Sequence, residues 1–581
     1  MKNYLSNFRH PFKKDSSYPV EDLRQHSLDL QLNRLQAKPK GLDINPARIE
    51  QHLANYSREK TQQIQEALKY LEQINRIELK NPVRINLLNV ILDNTAVALT
   101  DFYRKYLSKS SSFPEETERK TDLTSCIGLL RQLILSYKLI LSSDYQLPLK
   151  KFNHEQERVQ VVSAKIFELT LWLQRYLAIR YQKLPMQDWK DLNAIYFVYT
   201  SLFNSKEPMH MTSKLELLKA SGVFSNRGID RSALALYKSI QIFGLLDITS
   251  WPSKSTQTIE QYLHKYGALI EVSMSDQQTL IDDFVVTYHD LDTVPLYKPR
   301  EKTTFCCYFN LAKLKKQIEE EIDQVQKKKF LGDDGKKRIQ PQGQAVKLEE
   351  NHALLSLLHA KLSLAHRGDE RRTLYGSKSV DVYTGLAESY RLLYEISKPQ
   401  THTEMNSGLH DAAARSSSLL FDEGLTEMEC RWLIINESDT GILIRTLETK
   451  YMHAMEVGHV VAIRRDEEGE GSSPQLGYIT RLDRTGDGEL DVAIVKMSVL
   501  AEAITILEPG QDPNTQDLLP GILIKNLDEA WQLILPRYVK YVTGTPAIIK
   551  RKMDNIPVRL GESLETKSGF IMFDVRSPGL K

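Results

Sequence analysis

The sequence predicts a multidomain α + β protein: an N-terminal all-α helical bundle or solenoid-like region, then an antiparallel β-barrel, then a small C-terminal β module. Three observations predict it. Apolar residues recur at helical spacing from about Asn45 to Val285. After Ala365, short β-rich runs separated by turn signals take over. The chain has 581 residues, 41% hydrophobic and 26% charged, which is ordinary globular usage and enough apolar material for several cores.

Residues 1–42 are polar and basic, with weak periodicity, and read as an extended arm. Residues 43–290 read as the helical domain. Asn81-Pro82 has the form of an N-cap and first helical residue. Leu88, Leu92, Leu99, Phe102 and Tyr106 follow at helical spacing, and Val159, Val162, Ile166, Leu169, Leu173 and Leu177 form a second apolar stripe. DWKDLNAIYFVYTSLF and DRSALALYKSIQIFGLLD add amphipathic helices. Such stripes are expected to pack a core. No fixed-period repeat is evident.

Residues 291–365 read as a strand–helix connector. TTFCCYF has strand character, and Leu311–Gln326 and Leu348–Ala365 read as helices around a lysine-rich solvated loop. Residues 366–508 hold the runs SVDVYTG, CRWLIINES, GILIRTL, HVVAIRR, LGYITRLD, ELDVAIVKM and AITILEP, expected to close one small barrel. A helix (Leu386–Ile396) and a Ser-, Thr-, His- and Ala-rich loop interrupt them between 386 and 428. Residues 509–581 offer GILIKNL, WQLILP, AIIKRKM, PVRLGE and FIMFDV as a second β module packed on the first.

Several function classes fall away. Lys and Arg total 77 against 75 Asp and Glu, a net charge of +2, which argues against general DNA or RNA binding. Four cysteines, Cys126, Cys306, Cys307 and Cys430, contain no C-x-x-C pair and read as free or buried thiols. Neighbouring Cys306 and Cys307 point to opposite faces of a strand, poor geometry for a shared metal. No uninterrupted apolar run approaches the roughly 18 residues of a membrane span. The N-terminus has no apolar secretion signal. The expectation is a cytoplasmic protein with no membrane span.

Enzyme signatures are missing: there is no G-x-S-x-G and no H-E-x-x-H, and GDDGKK lacks Walker A spacing. DRTGDGELD, with Asp483, Asp487 and Asp491, has Ile494 where a calcium loop needs its bidentate Glu, and reads as a hairpin turn. His402, His410, His453 and His459 have no partner at ligand spacing. No catalytic residue, cofactor or metal is expected.

One constellation carries chemistry. Arg367-Gly-Asp-Glu-Arg371-Arg372 precedes the first β run, and Asn436-Glu-Ser438-Asp-Thr-Gly441 joins the second to the third. Three guanidinium groups can clamp phosphates bidentately and can donate to and stack on guanine. Asn436 and Ser438 add short hydrogen-bonding groups. Gly441 suits a tight turn and close approach of a ligand. The set suits a compact, doubly phosphorylated purine ligand.

These residues resemble the PilZ family of bacterial cyclic di-GMP receptors, marked by R-x-x-x-R before a barrel and [DN]-x-S-x-x-G on it. Here the elements are Arg367/Arg371 and Asn436/Ser438/Gly441. VGHVVAIRR and LGYITRLDRTGDGELDVAIVKM resemble later PilZ strands, and the helical part resembles what precedes the barrel in large proteobacterial PilZ proteins. A second R-x-x-x-R, Arg227 to Arg231, lies in the helical region and reads as coincidence.

The resemblance implies a non-catalytic effector. Arg367, Arg371 and Arg372 would hold cyclic di-GMP, with Asn436, Ser438 and Gly441 opposite them. The helical region would bind a protein of the motility, pilus or exopolysaccharide machinery. Two features depart from the pattern. More than sixty residues separate the two elements, and Glu370, Glu437 and Asp439 place negative charge beside the anion site. The other reading is a PilZ-like scaffold or adaptor that binds no nucleotide.

Overall fold

The computed structural model describes residues 28–30, 32, 35–37, 42–107, 112–113, 116–203, 232–273, 284–297, 300, 306–330, 342–363, 372–373, 379–397, 431–446, 453–465, 474–484, 489–497, 500–507, 519–525, 530–537, 541, 543–551, 554–567 and 569–576. It shows an N-terminal helical region followed by antiparallel β-barrels.

The helical region opens with α1 (Pro46–Ala54), where the Asn45 side chain accepts from the Ala47 N–H at 3.0 Å and proline takes the first position. Then come α2 (Lys60–Ile74), α3 (Asn81–Leu107), the short strand β1 (Ser112–Phe113) and α4 (Thr117–Tyr145). They are followed by α5 (Leu149–His154), α6 (Gln156–Ile179), α7 (Met186–Leu202), α8 (Ala233–Leu245) and α9 (Ser253–Tyr266). Asn81 is already the first helical residue of α3, one position earlier than expected. Leu30, within the stretch expected as an arm, is buried in the helical core.

Helix α4 is long and apolar enough to cross a membrane, with a mean hydropathy of 1.3 over its best window, 72% of which is buried inside the protein. Its polar groups explain that placement. Lys138 meets Asp191 at 2.7 Å, Asp122 accepts from Thr61 at 2.6 Å and from Tyr106 at 2.5 Å, and Asp144 takes both arms of Arg158. Ser136 donates to Asn75. Every one of these partners is a protein group from another helix or helix end, so α4 is the central helix of a bundle. Arg84, fully buried, donates to Ile74 O, Asn75 Oδ1 and Ile77 O and so caps the C-terminal end of α2. Burial pushes its guanidinium down to about 10.

Strands β2 (Glu271–Ser273), β3 (Phe284–Tyr288) and β4 (Cys306–Asn310) form a small antiparallel sheet in the order β2-β4-β3. Cys307 faces the helical core and Cys306 the opposite side, as alternation requires. Cys126, Cys306 and Cys307 are buried; Cys430 lies outside the described residues. Helices α10 (Ala312–Phe330) and α11 (Gln342–Leu362) pack as a hairpin. The first continues through Lys327 and Lys328, which were expected in the loop: lysine is a good helix former, and solvent on the outer face tolerates the run.

The first barrel is built from β6 (Ser379–Thr384), β7 (Arg431–Glu437), β8 (Gly441–Thr446), β10 (Val460–Arg465), β11 (Gln475–Arg484) and β12 (Leu490–Lys496). Strand β5 (Arg372–Thr373) pairs beside β7, and β9 (His453–Ala454) pairs with β1 of the helical region. The ring runs β6-β10-β11-β12-β8-β7 and closes where β7 pairs with β6. Val380, Trp432, Ile444, Val461, Ile479 and Val492 fill its interior.

The tail is more than a small module. Strands β13 (Leu500–Leu507), β14 (Leu519–Lys525), β15 (Trp531–Pro536), β16 (Pro546–Arg551), β17 (Asp554–Thr566) and β18 (Phe570–Arg576) form a second closed barrel, β13-β14-β15-β18-β17-β16. The run AITILEP, expected to close the first barrel, belongs to β13 of the second. Numbered within each barrel, both rings read first-second-third-sixth-fifth-fourth strand. The chain therefore carries one barrel connectivity twice, without a sequence repeat to announce it.

Helix α12 (Leu386–Ser397) leaves β6 at Gly385, whose φ of 90° suits glycine. Its Leu386, Tyr390, Leu392 and Leu393 sit between Val460, Ala462 and Leu476 of the first barrel and Ile522, Ile534 and Met572 of the second. The expected inserted helix is thus the wedge between barrels.

Candidate functional site

The loop 374–378 and the segment 398–430 lie outside the described residues, as do Arg367, Arg371, Arg227, Arg231, His402 and His410. Arg372 is described in its backbone. It pairs with Glu437, and Thr373 pairs with Asn436, in an antiparallel ladder. The two residues that follow Arg371 therefore lie on the strand next to Asn436, across more than sixty residues of sequence. The helix within that separation is packed between the two barrels, and loop-closure cost grows slowly with length.

The site lies at one end of the first barrel. The C-terminal ends of β7, β10 and β12 and the start of β8 all reach it. A register shift between Ile434 and Asn436 re-aims the last residues of β7. Asn436, Glu437 and Ser438 are half-buried there, and Asp439 and Thr440 are exposed in the turn.

Ser438 is held by its own turn. Its N–H donates to Gly441 O at 2.8 Å, and its Oγ accepts the Gly441 N–H at 3.0 Å. Gly441 does not adopt positive φ, so tight turning is not its reason, contrary to expectation. A Cβ there would stand 3.2 Å from Ile494 O on β12, so close packing of the strands favours the glycine.

Two cations that the motif reading missed converge on Glu437. Arg465, at the end of β10, donates to its carboxylate, and Lys496, at the end of β12, meets it at 2.7 Å. Lys496 also donates to Ser438 O at 2.8 Å. Burial alone pushes the Glu437 carboxyl up, but the bonds and charges of Lys496 and Arg465 together hold it below the usual carboxylate range. The adjacent Arg464 and Arg465 in VVAIRR, and the lysine ending ELDVAIVKM, were the available sequence signals. Their meeting with Glu437 follows only from barrel closure. At the opposite end of the barrel, Arg445 grips Asp491 with bonds of 2.5 and 2.8 Å. Among the described residues no cluster of His, Cys, Asp and Glu is arranged to hold a metal.

The other end of the barrel is stoppered. Tyr181, at φ 55° between α6 and α7, is fully buried among the barrel's interior residues, and its carbonyl accepts the Arg484 N–H at 2.8 Å. Lys183 reaches Asp483 at 3.2 Å and Asp247 at 3.3 Å. One barrel end thus meets the helical region while the other carries the candidate residues.

The described chain is thus a helical region followed by two barrels, with cationic and hydrogen-bonding groups gathered on one rim of the first. Residues 49–278, nearly the whole helical region, match the family model described as the N-terminal domain of the cyclic-di-GMP receptor FimW. That family is one of receptors, binding effectors and not enzymes. No curated protein and no solved structure matched the chain.

Proposed function

We propose that this protein is a non-catalytic cyclic di-GMP effector whose first barrel is PilZ-like. Arg367, Arg371 and Arg372 hold the phosphates and guanines, and Asn436, Ser438 and Gly441 form the facing wall. One observation carries the reading: Arg372–Thr373, directly after Arg371, pairs with Glu437 and Asn436 of the second motif element. The receptor family match supports it from a separate part of the chain. Arg465 and Lys496 supply further positive charge, partly offset by Glu437.

Ligand binding orders the arginine segment against β7. That segment leads through β6 directly into α12, the wedge between barrels, so the ligand biases how the barrels sit against one another. The helical region is the output surface for a protein of the motility, pilus or exopolysaccharide machinery, in the cytoplasm.

Calorimetric titration of cyclic di-GMP into the full-length protein tests this, with Arg367→Ala/Arg371→Ala alongside. Micromolar or tighter binding by the wild type, lost in the double variant, is the expected result. No heat and no shift of melting temperature at saturating dinucleotide overturns it, leaving a ligand-independent scaffold.

A further inference from the structure

A cleft opens between the helical region and the end of the first barrel that Tyr181 stoppers, away from the candidate rim. Its volume is about 1410 Å³, more than most small-molecule sites occupy, so an elongated body fits. The helical region supplies an apolar wall: Leu184 and Pro185 before α7, Met186 and Trp189 in its first turn, Phe243 of α8, and Leu296. Met186 is 67% exposed on this wall. Trp189 is pinned, since a Cβ at Gly244 of α8 would stand 2.5 Å from its ring, and the glycine seats it.

The charges along the barrel side are matched within the protein. Lys183 stands 3.3 Å from Asp247 and 3.2 Å from Asp483. Burial pushes the Asp247 carboxyl up, but Lys183, the Thr249 hydroxyl, Lys361 and Arg481 together hold it below the usual carboxylate range. That balance favours an uncharged ligand, because a net charge would meet its like as closely as its opposite. One polar atom is left over. Gln174 of α6 lines the cleft and is 6% exposed. Its Nε2 donates to Ile240 O at 3.3 Å, and its Oε1 accepts no hydrogen bond among the described residues. A buried acceptor without a partner costs free energy that a ligand donor recovers. Backbone strain marks the same place. Tyr181 and Asp247 are the described non-glycine residues at positive φ, 55° and 49°. Asp247 lines the cleft, and Tyr181 precedes Gln182, which does too. Such strain concentrates at ligand sites.

We propose that this cleft binds an uncharged, elongated, apolar molecule carrying a hydrogen-bond donor, its body along Trp189, Met186 and Leu296 and its donor on Gln174 Oε1. The site is separate from the rim proposed for cyclic di-GMP. Occupancy joins the helical region to the end of β11.

The probe is N-phenyl-naphthylamine, an uncharged aromatic amine with one N–H, whose fluorescence rises in apolar surroundings. Titrated into the full-length protein, it should bind saturably in the wild type and in Arg367→Ala/Arg371→Ala. Ala360→Trp, which fills the cleft from an exposed position on α11, should weaken it about tenfold or more. Gln174→Met should weaken it about fivefold, the worth of one hydrogen bond. The N-methylated probe, which has no donor, should bind the wild type and Gln174→Met alike. The sulfonated analogue, anilinonaphthalene sulfonate, should bind more weakly than the neutral amine. Absence of saturable binding overturns the proposal, as does binding unchanged in Ala360→Trp or lost in the rim variant. A Gln174→Met variant that weakens both amines equally, or neither, overturns the donor assignment. The sulfonated analogue binding as tightly as the neutral amine overturns the uncharged one.

Discussion

Ser438 and Gly441 illustrate how a ligand-type motif is also a piece of backbone engineering. The serine closes the β7–β8 turn with its own hydroxyl, and the glycine admits the Ile494 carbonyl. Ser438→Ala should therefore lower stability by about 1 kcal/mol, the net worth of one hydrogen bond, measured by urea unfolding. Gly441→Ala should cost about 1–3 kcal/mol through overpacking. Glu437 gives a pH signature. Its carboxyl is depressed in the folded state, so its contribution is present above the unfolded value of about 4.3 and is lost as pH falls through the lower folded one. The stability gap between wild type and Glu437→Gln should therefore narrow between pH 6 and pH 3, read from urea midpoints. At pH 7 the same substitution removes the negative charge between Arg465 and Lys496. Cyclic di-GMP should then bind a few-fold tighter, with a steeper salt dependence, measured by calorimetry.

Among the elements, α12 is the one whose role the chain order conceals. It reads as an insertion into a barrel, yet it fills the space between two barrels. Leu393→Ala should destabilise by about 2–5 kcal/mol, as buried leucine truncations do. Calorimetric scanning should show the two barrels melting separately in this variant and together in the wild type. Helix existence was legible from apolar spacing, since α6, α7 and α8 bury the expected stripes. Their neighbours were not. The pairing of Lys138 with Asp191, or of Arg175 with Glu260 at 2.7 Å, joins residues far apart in the chain with no local pattern to report it.

At the scale of the molecule, the helical region and the candidate rim occupy opposite ends of one barrel. A strand of seven residues spans roughly 20 Å, so coupling between them must run through packed elements. Tyr181 is the contact at the helical end. Its backbone is left-handed, a conformation costly for a bulky residue, and burial inside the barrel offsets that cost. Tyr181→Ala keeps the strained backbone and removes the ring, so it should cost about 3–5 kcal/mol. Hydrogen exchange should then rise at β11 and at the α6–α7 turn, while dinucleotide binding at the rim is retained.

The sequence alone determined the order of parts, helices then strands, because periodicity is a local property that each side chain carries with it. It also marked the two motif elements, since arginine, serine and glycine types are visible wherever they fall. Only the tertiary structure decided that the tail closes a second barrel of the same connectivity. Ring closure joins β13 to β16 and β15 to β18, and no short-range pattern encodes such pairs. The meeting of Arg465 and Lys496 on Glu437 has the same origin: distant residues become neighbours only when strands close.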